Sequence, residues 1–145
     1  MNIENLYRQV IMEHYKNPRN RGLVDDPSYL TVHMNNPSCG DELTVQVKVE
    51  NGVITDLRQQ GTGCSICCSS ASVMTETLKN ETTDRALRII EQYYEMIKGM
   101  PYDPEILKGD ALVYQGVSQF PARIKCATLA WKACEKGIHK IEEEA

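Results

Sequence analysis

The residues that most constrain this fold run from Leu43 to Gln60. Leu43, Val45, Val47 and Val49 alternate with Thr44, Gln46, Lys48 and Glu50, the period of a strand with one buried face. Asn51-Gly52 follows, the dipeptide favoured in two-residue hairpin turns because both positions need positive φ. Val53 to Gln60 is predicted to return antiparallel, with Gly61-Thr62-Gly63 breaking the strand immediately before Cys64. A hairpin of these lengths brings the residue before its first strand and the residue after its second to the same end. Those residues are Asp41, in Pro37-Ser38-Cys39-Gly40-Asp41, and Cys64.

Two thiols and a carboxylate at one hairpin end, beside Gly40, Gly61 and Gly63, offer metal donors on backbone able to bend around an ion. Cys126 opens the last helical pattern, and a thiolate from there would complete three sulfurs and one oxygen around a tetrahedral cation. Each position also has a plainer reading. Free cysteine packs well as a small buried hydrophobe, and aspartate at a strand entry often hydrogen-bonds neighbouring amides. The separation of Cys126 from the other two matches no zinc-finger spacing, so the residues alone leave both readings open.

The remaining elements follow from periodicity. Ile3, Leu6, Tyr7, Val10, Ile11 and Tyr15 recur at helical spacing until Asn17-Pro18-Arg19-Asn20-Arg21-Gly22 supplies turn formers. His14 in that helix has no second ligand at i+4, so a solvated or hydrogen-bonded role is expected. Tyr29 to Asn35 alternates, with Leu30, Val32 and Met34 on one face and a surface His33 on the other. Cys64 to Leu78 reads as a helix whose early turns carry Ser65, Ser69, Ser70, Ala71 and Ser72, small enough for close backbone approach. At its start, Cys64 would have its thiolate favoured by the positive dipole end. Cys67 and Cys68 lie at i+3 and i+4 from Cys64 and suit packing, as does Cys134, although the first two share a general face with Cys64 and also form a vicinal pair. Thr82 or Thr83 caps a structural helix with Ala86, Ile89, Ile90, Tyr93, Met96 and Ile97 on its apolar face. Pro101 to Gln119 is expected to be loop-like with short helical turns. Phe120-Pro121-Ala122-Arg123 enters the last helix, and Glu142-Glu143-Glu144 ends it as a solvated, frayed tail.

A length of 145 residues predicts one domain with an adequate core. Sixteen basic against twenty acidic side chains give a net charge of -4, and no basic stripe interleaved with aromatics argues for nucleic acid. The start lacks a signal-peptide pattern and no run reaches membrane-spanning length, so a cytoplasmic location is expected, with no membrane partner. In such a reducing compartment the six cysteines point to metal ligands, reactive thiols or packing rather than disulfides, and the Asn80-Glu81-Thr82 sequon has no glycan to accept.

Four separated motifs carry a resemblance. His14-Tyr15 with Asn17-Pro18-Arg19-Asn20, then Asn36-Pro37-Ser38-Cys39-Gly40-Asp41, then Gly61-Thr62-Gly63-Cys64-Ser65-Ile66, and finally the run from Phe120 to Trp131 appear in order. The chain thereby resembles the SufU branch of the IscU/NifU-N-like iron-sulfur cluster assembly family. Lys125 immediately before Cys126, where IscU-type proteins have histidine, and the long segment from Pro101 to Gln119 favour that branch. Cys67-Cys68 departs from the family pattern.

The resemblance implies an α+β fold, a small antiparallel sheet of about three strands with helices packed on it, as a single IscU-like domain over 1–145. It also implies Cys39, Asp41, Cys64 and Cys126 as ligands of Zn2+, and a zinc-dependent sulfurtransferase that accepts persulfide sulfur from a SufS-type cysteine desulfurase. Downstream iron-sulfur assembly proteins or apo-proteins would receive the sulfur. Cys39 is the expected acceptor, and Arg123, one turn before Cys126, would steady Asp41 or the developing sulfur anion. The alternative on the same ligands is a scaffold holding Fe2+ or a [2Fe-2S] cluster. A structural zinc module is a third reading. A thiol oxidoreductase using Cys64-x-x-Cys67 is disfavoured by the absence of the strand, aromatic and proline context that the motif needs.

Overall fold

The computed structural model describes residues 3–145. Its elements are α1 (Ile3–Lys16), β1 (Leu30–Asn36), β2 (Asp41–Glu50), β3 (Val53–Thr62), α2 (Ser65–Leu78), α3 (Thr83–Ile97), a 3₁₀ helix over Gly109–Gln119 and α4 (Pro121–Glu144). The strands form one antiparallel sheet in the order β1-β2-β3. This is the expected three-stranded sheet with helices packed on it.

The hairpin forms where the alternation places it. Asn51 and Gly52 have φ of 53° and 76°, the left-handed pair a two-residue turn requires. A register shift at Lys48/Val49 breaks the simple period, so that Ile54 and then Leu57 and Gln59 face inward. The return strand also runs further than expected, through Gly61 and Thr62. Gly61 pairs with Leu43 rather than ending the strand, and its lack of a side chain permits that pairing, since a Cβ there would lie 2.2 Å from the Glu42 carbonyl oxygen.

Val32, Leu43, Val45, Val47, Ile54 and Leu57 turn one sheet face inward, where α2 and α4 cover it. Gly137 lets α4 lie close, since a Cβ there would meet Val47 at 3.2 Å. Between the helices Trp131 stacks on Tyr93 with ring centroids 3.8 Å apart and planes 11° from parallel. Ser70 on α2 accepts the Trp131 indole N–H at 2.9 Å and donates to the Ala127 carbonyl at 2.7 Å, tying α2 to α4. The small residues of α2 therefore permit close approach and also carry hydrogen bonds.

Two other expectations are corrected. The segment before α4 is not mainly loop. Gly109–Gln119 winds as one 3₁₀ stretch with Ala111, Val113, Tyr114 and Val117 buried, and Tyr114 exchanges a 2.6 Å hydrogen bond with Ser69. Burial of this apolar face holds a helix whose uneven sequence has little propensity of its own. At the other end α4 continues through Glu144 rather than fraying after the core. Thr82 caps α3 as expected, accepting the Arg85 amide. No helix among the described residues is long and apolar enough to cross a membrane.

Candidate metal centre

The loop between β1 and β2 is only four residues long, Pro37 to Gly40, and Asn36 pairs with Asp41 across it. The Cys39 amide donates to the Asn36 carbonyl at 3.1 Å, and Gly40 takes a φ of 68° to bring the chain back into β2. Asp41 therefore begins β2, with its side chain buried at the hairpin end where β3 delivers Gly63 and Cys64. A Cβ on Gly63 would stand 2.3 Å from Asp41 Oδ1, so the carboxylate occupies space that only glycine leaves open. The backbone N–H of Cys64 donates to that same oxygen at 3.0 Å.

Cys64 is the N-cap residue of α2, with extended φ and ψ and no side-chain cap bond, so its thiol is not used to satisfy the helix end. Cys126 arrives from the first turns of α4, fully buried. The ligand atoms of Cys39, Asp41 and Cys126 all lie within 4.8 Å of one another. Cys64 falls outside that tight group, although it stands close enough for its charge to act on the Cys126 thiol. Three elements that are distant in sequence thus place the four expected residues at one end of the sheet, three of them as a compact set and the fourth at its margin.

The electrostatics fit a cation. Burial pushes the Cys126 thiol up, and hydrogen bonds with Asp41, Cys39 and Cys64 push it further, because each neighbour is an acceptor or a competing anion. These effects favour the neutral Cys126 thiol, and a divalent ion would reverse that balance. Arg123 is a cationic side chain acting on these thiols. Its own pKa is raised, first by hydrogen bonding to Cys126 and then by the charges of Cys64 and Cys39. Three sulfurs and one oxygen form a donor set suited to zinc or to iron.

Asn36, not among the residues singled out from the sequence, also borders the site. It is buried, and its amide donates to Asp41 Oδ2 at 3.4 Å and approaches Cys126 Sγ at 3.8 Å. Its signal was present: Leu30, Val32, Met34 and Asn36 share one parity of β1, so a polar residue stands at an inward position.

The other cysteines separate from the cluster. Cys67 and Cys134 are buried in the core, and desolvation holds both thiols neutral, Cys134 pushed up to about 12. Cys68 is half-buried with its thiol 3.7 Å from the Gly63 carbonyl, and burial raises it also. His33 is exposed beside Thr44 and Glu42. His14 is hydrogen-bonded rather than solvated, buried between Ser72 and Asp110.

Known proteins resemble this chain over nearly its whole length. Residues 6–127 match the family model described as NifU-like N terminal domain. The chain is 49% identical over 141 residues to the zinc-dependent sulfurtransferase SufU of Bacillus subtilis (strain 168), covering 97% of this chain and 95% of that one. It is 35% identical over 138 residues to the iron-sulfur cluster assembly scaffold protein IscU of Streptococcus pyogenes serotype M1, covering 95% and 86%. The crystal structure of a nitrogen-fixing NifU-like protein (N-terminal) from Brucella abortus superposes with a TM-score of 0.84 at 26% identity, covering 99% of both chains.

Proposed function

This chain belongs to the NifU-like N-terminal domain family, and on that premise we propose that it is a zinc-dependent sulfurtransferase of iron-sulfur cluster biogenesis. It takes persulfide sulfur from a SufS-type cysteine desulfurase and passes it to downstream assembly proteins or apo-proteins. The observation that carries the reading is the compact Cys39, Asp41 and Cys126 donor set with Cys64 at its margin, together with near full-length similarity to a zinc-dependent sulfurtransferase. A cytoplasmic setting, where thiols stay reduced, suits this chemistry.

Cys39, Asp41, Cys64 and Cys126 would hold the zinc. When bound, Zn2+ keeps the thiols deprotonated at neutral pH without redox chemistry of its own. Asp41 is held by the Cys64 amide and Asn36, so it stays oriented while a thiol moves. Cys39 sits on the short loop and is only half-buried, whereas Cys126 is fixed in the core. Cys64 is also half-buried, but it is tied down as the N-cap of α2 with its amide on Asp41, so Cys39 is the acceptor we assign. Its thiolate attacks the terminal sulfur of the donor persulfide, a new S–S bond forms on Cys39, and the donor cysteine leaves as a thiolate. Arg123, exposed beside Cys126, offsets the negative charge that the incoming sulfur carries.

The scaffold reading uses the same donors and is favoured by the 35% identity to an assembly scaffold. The two separate on metal content and on sulfur. Purified protein is expected to contain one zinc per chain and to gain a persulfide on Cys39 after incubation with desulfurase and cysteine. Cys39→Ala should abolish that adduct. Unchanged sulfur acceptance by Cys39→Ala, or a stable transferable cluster in place of zinc, rejects the reading.

A further inference from the structure

We propose that His14, Glu76 and Asp110 form a second cation site, free of sulfur, that takes a divalent first-row ion such as Mn2+ or Fe2+. The ligand atoms of the three lie within 4.8 Å of one another. His14, on α1, is 1% exposed, and its ring is locked: Nδ1 meets Ser72 Oγ at 2.8 Å, and the same oxygen accepts the Arg19 amide at 2.8 Å. The ring therefore presents Nε2 in a fixed direction, 2.8 Å from Asp110 Oδ2 and 3.7 Å from Glu76 Oε1. An imidazole held through its other nitrogen is the arrangement that metal-binding histidines use.

Access distinguishes this group from a buried ion pair. The two carboxylates are about half exposed, 48% and 52%, and both line a cavity of about 380 Å³ open to solvent. An ion entering there would displace the hydrogen bond between His14 Nε2 and Asp110, gain one nitrogen and two carboxylate oxygens from the protein and keep water elsewhere in its shell. Nitrogen and oxygen donors without thiolate suit Mn2+ or Fe2+. On binding, the ring would keep Nδ1 on Ser72 and offer Nε2 to the ion in place of its hydrogen bond with Asp110. Arg19, 3.8 Å from Glu76 and also 3.3 Å from Glu13, is a competing cation that would turn to Glu13 when the ion takes Glu76, and Arg85 and Lys108 line the same cavity. The three ligands come from α1, α2 and the 3₁₀ helix, so the ion would fasten that helix, and with it the entry to α4, against the first two helices.

The test is a titration of the full-length, zinc-loaded protein with Mn2+, following free Mn2+ by electron paramagnetic resonance. Mn2+ is the weakest competitor of the divalent series and leaves zinc on the thiolates. One Mn2+ per chain is expected to bind and to raise the melting temperature. Glu76→Gln and Asp110→Asn should each weaken binding by at least about tenfold, whereas Glu81→Gln, which lines the same cavity away from His14, should not. Circular dichroism checks that each variant folds, and Glu76→Gln carries the test alone if Asp110→Asn does not. Absence of saturable binding, equal loss in Glu81→Gln, or full binding by Glu76→Gln overturns the proposal. None of these readouts depends on sulfur transfer.

Discussion

The Cys64 amide and the Asp41 carboxylate are joined by a 3.0 Å hydrogen bond that spans the open end of the β2–β3 hairpin. The bond satisfies one of the orphan N–H groups at the start of α2 and at the same time orients the carboxylate proposed as a metal donor. Asn36 holds the other carboxylate oxygen. Asp41→Asn keeps an acceptor for the amide and loses only charge, while Asp41→Ala loses both. Both variants should weaken zinc binding by more than about tenfold, on the scale of lost metal-supporting contacts. Only Asp41→Ala should also loosen the end of α2. Competition with a chromophoric chelator measures the first effect and amide hydrogen exchange at Cys64 and Ser65 the second.

Gly63 is required by the same carboxylate. A Cβ at this position would lie 2.3 Å from Asp41 Oδ1 and 3.1 Å from its Cα, so Gly63→Ala must push Asp41 out of the donor set. Overpacking of this kind costs about 1–3 kcal/mol. The expected outcome is a folded protein, by circular dichroism, that purifies with much less than one zinc per chain. Full zinc content in Gly63→Ala would show that Asp41 does not need its present position.

Acid sensitivity should centre on Asp56. Burial raises its pKa, but hydrogen bonds from Tyr29, the Leu57 amide and Lys79 outweigh that and leave it below the ordinary 3.8. A carboxylate whose folded pKa is depressed stabilises the fold above its unfolded pKa, and the stabilisation fades as pH falls through the folded value. Wild type should therefore melt higher than Asp56→Asn by a constant margin above about pH 5, and the margin should shrink below about pH 4. Melting curves of both proteins across that range check the sign. A margin that grows on acidification contradicts it.

Much of the site was legible because it rests on local rules. The Leu43 to Val49 alternation and Asn51-Gly52 determine which residues meet at the hairpin end, and Asp41 and Cys64 meet there. Cys126 was legible only through the resemblance, since its approach depends on how α4 packs on α2 and the sheet, which no local period encodes. The 3₁₀ helix at Gly109–Gln119 was missed for a related reason. Its residues have weak propensity, and the helix forms because Tyr114 and Val117 bury against α2 and its neighbours. The Lys48/Val49 bulge was also invisible, because a one-residue irregularity leaves the hydrophobic alternation of β2 unchanged.

The relation between α2 and α4, which brings Cys64 and Cys126 together, depends on Ser70. Its hydroxyl accepts the Trp131 indole N–H at 2.9 Å, donates to Ala127 O at 2.7 Å and lies 3.1 Å from the Tyr93 hydroxyl, all in a buried setting. Ser70→Ala removes the acceptor and leaves the indole N–H without a partner away from water, which costs about 1–3 kcal/mol. The Tyr93 hydroxyl keeps its own 2.8 Å bond to Ala127, so the stacked Tyr93 and Trp131 pair should survive and the loss should stay within that range. Trp131 is the single tryptophan of the chain, and its fluorescence therefore reports unfolding of this interface directly. Urea denaturation of Ser70→Ala is expected to show a lower midpoint with an unchanged slope, and zinc should raise the midpoints of both proteins while the gap between them persists, because a ligand that binds both native states alike adds the same stabilisation to each. A midpoint equal to wild type would mean that the α2–α4 contact does not rely on this hydroxyl.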